Sequence, residues 1–128
     1  RDPLWSRGLG DVYKRQAVLT AMIGAAKADG HIGPEERALL ETEMGKLSSD
    51  AQDRRWLEAE LARPLDPAAI AQSAKTPEMA AEMYLASLLV VDEESYMERA
   101  YLDELARRLQ LQPGLKEQLE QHARAAVA

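Results

Sequence analysis

The chain has no cysteine among its 128 residues. Disulfides, thiolate zinc sites and a cysteine nucleophile are therefore excluded. Aromatic residues are scarce, at 5%. Basic residues do not predominate: 16 lysines and arginines stand against 22 acids, for a net charge of −6. Nucleic-acid binding needs a basic face, so the acidic balance counts against it. No apolar run is long enough to cross a bilayer. The longest candidate, Met79 to Val91, spans thirteen residues and includes Glu82, against roughly 20 for a transmembrane helix. There is no G-x-S-x-G elbow, no glycine-rich phosphate loop, and no serine placed with a histidine and an acid. What remains is 46% apolar and 30% charged, the composition of one globular domain.

Residues 1–16 (RDPLWSRGLGDVYKRQ) differ from everything that follows. They show no helical periodicity and no apolar stretch of signal-peptide length. The string resembles a translated sequencing adaptor, so it is expected to be a non-native or disordered tail ahead of a single domain over 17–128. Without it, 12 basic and 20 acidic residues remain, a net of −8.

From Ala17 onward the chain reads as helices. Ala17 to Ala28 is apolar on nearly all sides, which predicts a buried helix. Asp29-Gly30-His31-Ile32-Gly33 breaks it, and Pro34 opens the next, with Leu40, Met44 and Leu47 as its stripe. Ser49 with Gln52 forms a capping-box pattern ahead of Trp56, Leu57 and Leu61. Asp66-Pro67 and Thr76-Pro77 are two cap-plus-proline starts. The second launches Met79 to Val91, the expected central helix. Ser95 with Glu98 makes another capping box, before Met97, Tyr101, Leu105 and Leu109 as buried positions. Pro113 opens the last helix, with Leu115 and Leu119 inward and His122 on its apolar face. The expectation is an all-α bundle of about seven helices without strands. The pairs Asp50–Arg54, Asp103–Arg107, Glu104–Arg108 and Glu120–Arg124 have the favourable i,i+4 orientation. The arginine doublets 54–55 and 107–108 are thus read as solvated pairs rather than phosphate contacts.

A near-repeat runs through this pattern. Asp29 follows one apolar helix and Glu35 comes six residues later; Asp92 follows another and Glu98 comes six residues later. Leu39 and Leu102 share the offset. Two related helix–turn–helix units follow from this, packed as a pair.

Asp29, Glu35, Asp92 and Glu98 are the candidate metal ligands, since carboxylate oxygens suit Ca²⁺ or Mg²⁺. The spacing is not that of an EF-hand, because Leu40 holds the place of the final glutamate. The alternative is that the aspartates cap helices and the glutamates answer helix dipoles. No cofactor is otherwise implied. The methionines (Met22, Met44, Met79, Met83, Met97) fall at core-like positions. Any exposed residue among Trp56, Tyr84, Tyr96 and Tyr101 would be a contact candidate.

AxADGHIxxEE at Ala26 to Glu36 and VDEESYMERAYLDELARRLQL at Val91 to Leu111 resemble the YebE-like inner-membrane protein family, within the TerB-like (tellurite-resistance) helical superfamily. The resemblance covers 17–128. It implies a compact all-α bundle, with Asp29, Glu35, Asp92 and Glu98 in the acidic, suspected metal-binding positions. Glu93 departs from the glycine expected after the second aspartate. The family also implies inner-membrane association through an N-terminal segment missing here. On these grounds the domain is expected to be non-enzymatic, to contact an unidentified protein partner in envelope or metal stress, and to bind no nucleic acid. A divalent-cation-binding or sensing domain is the alternative, and a hydrolase with a carboxylate-bound metal comes third.

Overall fold

The computed structural model describes residues 11–28, 33–45, 51–91 and 96–127. Seven helices occupy them: α1 (Asp11–Lys27), α2 (Pro34–Gly45), α3 (Ala51–Ala62), α4 (Pro67–Ala71), α5 (Pro77–Val90), α6 (Tyr96–Arg108) and α7 (Pro113–Val127). No strand occurs among the described residues.

The starts follow local chemistry. Asp66 accepts hydrogen bonds from the amides of Ala68 and Ala69, at 3.1 and 3.3 Å, and Pro67 needs no partner at the first turn of α4. Thr76 Oγ1 accepts from the Met79 amide at 3.1 Å, ahead of Pro77 in α5. The first element departs from expectation. Helix α1 begins at Asp11, six residues before the boundary placed at Ala17. Tyr13 donates to the Ser73 carbonyl and Lys14 pairs with Glu82.

The centre of the fold is α1 packed along α5, its most extensive helix contact. Both helices carry small buried side chains, Ala17, Ala21 and Ala25 on α1 and Ala80 and Ser87 on α5. The Ser87 hydroxyl lies 2.8 Å from the Met83 carbonyl and 3.2 Å from that of Ala21, so it has an acceptor on each helix. Around this pair, α2, α3 and α4 touch α1, while α6 and α7 touch α5.

The repeat extends further than two turns. Shifted by 63 residues, the end of α1 at Lys27 falls on the end of α5 at Val90, and Gly45 of α2 falls on Arg108 of α6. Helix α3 then overlies α7, beginning one residue from it, and α4 is the connector without a counterpart. The two copies are not equally buried. Leu102 is in the core, whereas its counterpart Leu39 is exposed.

Helix α6 buries Glu98, Tyr101, Leu102, Leu105 and Ala106, an i, i+3, i+4, i+7, i+8 stripe. Met97 lies one position off that stripe and is 55% exposed, which corrects its expected burial. Met22, Met79 and Met83 are in the core as expected. The Met44 side chain, Leu47 and the Asp50–Arg54 pair lie outside the described residues. His122 is exposed, not on the apolar face of α7, where Ala123 is buried instead.

The Tyr101 hydroxyl is buried with no hydrogen-bond partner among the described residues, and burial raises its pKa. Such a group loses water without recovering a bond. Tyr101→Phe is therefore expected to leave stability unchanged or raise it by about 1 kcal/mol. Thermal melts check this, and a loss of stability would mean the hydroxyl is satisfied.

Candidate functional site

The four carboxylates proposed as ligands do not share one environment. Asp29 and Asp92 lie outside the described residues. Glu35 stands in the first turn of α2 and is exposed. Glu98 stands in the first turn of α6 and is only 1% exposed. Its exposure differs from that of its repeat counterpart because of the helix phase. Glu98 falls on the inward stripe of α6, whereas Glu35 lies off the buried position that Leu40 marks on α2. A carboxylate on a buried stripe is costly unless hydrogen-bonded or paired, and Glu98 does have an interaction partner. Among the described residues, no three His, Asp or Glu side chains cluster as a metal site. His31 lies outside the described residues.

A second set of polar groups joins α5, α6 and α7. The Tyr84 hydroxyl donates to Glu120 Oε2 at 2.8 Å, and Lys116 Nζ donates to the same oxygen at 2.8 Å. Lys116 also stands 3.4 Å from Asp103. Burial acts to raise the Glu120 pKa, but the bonds from Lys116 and Tyr84 outweigh it and hold the carboxyl below its usual value. Burial and the same carboxylate raise the Tyr84 pKa. Two expected ion pairs are thereby redirected. Glu120 turns to Lys116 and Tyr84 rather than to Arg124, and Asp103 to Lys116 rather than to Arg107. Glu104 pairs with Arg108 as expected and takes Arg107 as well, at 2.7 and 2.6 Å. Hydrogen bonds from both arginines lower its pKa.

The pH consequence has a definite sign. Glu104 and Glu120 have folded-state pKa values below their unfolded ones, so they contribute stability above the unfolded carboxylate range, near 4.3. That contribution is lost as pH falls through their lowered folded values. The melting temperature is expected to drop on acidification from about pH 5. Glu120→Gln should flatten part of the drop, and an unchanged pH profile would disprove the assignment.

A cleft of about 240 Å³ lies between α1, the end of α3, and α4, with Gly24 and Ile70 in its lining beside Trp56 and Lys27. Lys27 is committed structurally. Its ammonium donates to the carbonyls of Glu60 (2.9 Å) and Arg63, closing the end of α3. Partial burial lowers its pKa despite the nearby Glu60.

The exposed apolar residues include three flanking the α5–α6 connection: Leu89 at 44%, Tyr96 at 84% and Met97 at 55%. Of the four aromatics singled out from sequence, Tyr84 and Tyr101 are core, Trp56 is partly buried, and Tyr96 is exposed. Composition carried no signal for this grouping, because it depends on the phase at which α6 docks.

Comparison with known proteins finds relatives of this sequence. Residues 11–123 match the family described as "Protein of unknown function (DUF533)". The chain is 31% identical over 124 residues to an "uncharacterized protein in ampR 5'region" of Yersinia enterocolitica, covering 96% of this chain and 89% of the relative. No solved structure matches.

Proposed function

The chain belongs to the DUF533 family of proteins of unknown function, and within it we propose that this domain is a non-enzymatic helical module that works by contacting another protein. The observation that carries this reading is the exposure of Leu89, Tyr96 and Met97 around one helix connection. Aromatic and methionine side chains are enriched where protein partners dock. On the same reading the intact protein is of the YebE/TerB-like type, associated with the bacterial inner membrane, and acts in envelope or metal stress. Those finer points rest on the motifs at Ala26 to Glu36 and Val91 to Leu111. No described helix is long and apolar enough to cross a membrane.

The test is a photo-crosslinking amino acid at position 96, introduced in cells that express the protein. One recurrent partner protein is expected by mass spectrometry, lost in Met97→Glu. Absence of adducts at 96 and at 89 alike would end this reading.

Burial of Glu98 supports a second reading, a divalent-cation-binding or sensing domain built on the acidic turns. Asp29, Glu35, Asp92 and Glu98 would supply oxygen ligands for Ca²⁺ or Mg²⁺. Calorimetric titration with Ca²⁺, Mg²⁺ and Zn²⁺ is then expected to show sub-millimolar binding, abolished by Asp29→Asn with Asp92→Asn. A flat titration removes the cation reading and leaves the first intact.

A further inference from the structure

A groove of about 690 Å³ runs where the α4–α5 joint meets the α6–α7 turn. Ala71, Ala80 and Leu109 form its buried floor. Its edges carry Lys75 and Arg108, with Gln72, Gln110 and Gln112 exposed alongside.

Three observations set this groove apart. The first is charge. The whole chain carries 22 acids, yet no aspartate or glutamate lines the groove, while one lysine and one arginine do. Arg108 is paired with Glu104, but Lys75 has no carboxylate partner among the described residues. The second is the helix ends. Thr76 and Pro77 at the start of α5, and Gln112 ahead of α7, border the same groove, so the positive ends of two long helices add to that sign.

The third is Gln110. It has φ 62°, the one positive value for a non-glycine among the described residues. It closes α6 through its amide to the Arg107 carbonyl, while Leu111 bonds back to Ala106, the geometry in which glycine is usual. A side chain in this conformation costs about 1 kcal/mol relative to glycine. Closing the helix does not need that side chain, and it lies on the groove edge.

We infer that this groove docks a segment of a partner protein that carries carboxylates beside apolar side chains. The apolar side chains would fill the floor over Ala71, Ala80 and Leu109. The carboxylates would meet Lys75 and the two helix starts, and the glutamine amides would pair with the segment's backbone. The inference deepens the reading of this domain as an interaction module, and rests on it, but uses a different surface from Tyr96 and Met97.

Panning a random dodecapeptide library on the purified chain tests it. Enriched peptides are expected to combine Asp or Glu with Leu, Ile or Phe. A synthetic copy of the leading peptide, followed by fluorescence anisotropy, should lose at least about tenfold in affinity to Lys75→Glu combined with Gln112→Glu. Both positions are exposed, and a circular dichroism melt confirms that the variant folds. Gln110→Gly should raise the melting temperature while weakening the peptide. Tyr96→Glu should leave its affinity unchanged. Basic or uncharged enriched peptides, no enrichment, or equal affinity for wild type and the double variant would each overturn the groove assignment. So would concentration-dependent dimerisation abolished by Lys75→Glu, which would make a second copy the occupant. Adducts at position 96 would survive any of these failures, so the two readings can be told apart.

Discussion

Cutting Leu40 back to alanine is expected to destabilise the domain by about 2–5 kcal/mol, and to release α2 before the rest. Leu40 is 0% exposed, and it is the one fully buried side chain among the described side chains of α2. The other described side-chain ties of this helix are at the surface. Arg37 bonds Glu41 within α2 and Glu58 on α3, and exposed pairs of this kind are worth about 0–1 kcal/mol. Among the described side chains, the hold on α2 is thus mainly one apolar anchor. Hydrogen exchange provides the readout. The α2 amides should lose protection in Leu40→Ala while those of α1 and α5, joined by the main interface, keep most of theirs. Uniform loss along all helices would show instead that α2 is an inseparable part of the core.

Gly24→Val is expected to be about as damaging, at roughly 3 kcal/mol or more. Gly24 is buried in α1, and a Cβ there would overlap the Tyr101 hydroxyl and stand 2.7 Å from Ile70 Cδ1. The tyrosine ring is itself enclosed and cannot swing clear. Valine adds two further methyl groups and recovers little helix propensity over glycine. Gly24→Ala separates the causes. Its overpacking cost of about 1–3 kcal/mol is partly offset by the roughly 1 kcal/mol that alanine gains in a helix. Combining it with Tyr101→Phe removes the nearest obstructing atom, so the double variant should melt above Gly24→Ala alone. Additive effects in that cycle would refute the contact.

This glycine shows where reading the residues alone stops. In the apolar stretch from Ala17 to Ala28, Gly24 looks like one more small residue on a buried helix. Its necessity comes from Tyr101, 77 positions along the chain, whose ring crosses it only once α6 has docked. Met97 and Glu98 make the same point. Their neighbourhood is legible as a helix start from Ser95 with Glu98, but a turn of one residue about the helix axis decides which faces inward. The periodic pattern could be satisfied with Met97 inside; the docked helix buries Glu98 instead. The expected pairing of Asp103 with Arg107 failed for a similar reason, because the docking of α7 sets Lys116 beside Asp103.

The acidic turns were legible as a repeat, and the fold extends that repeat to three helices. Their equivalence was not legible, since Glu35 and Glu98 have opposite burial. The groove beneath Lys75 and Gln110 left no trace in the pattern, as its walls come from four separate elements.

What the amino-acid order determined by itself is the helical class, the number of helices and where several begin: Asp66 and Thr76 as caps, Pro34, Pro67, Pro77 and Pro113 at first turns. These depend on bonds and steric limits within four residues, so they need nothing distant. Which acid is buried, which glycine cannot change, and which apolar side chains stay exposed were decided only in the tertiary structure. Each depends on the phase and distance at which one helix meets another, and those are set jointly by residues far apart in the chain.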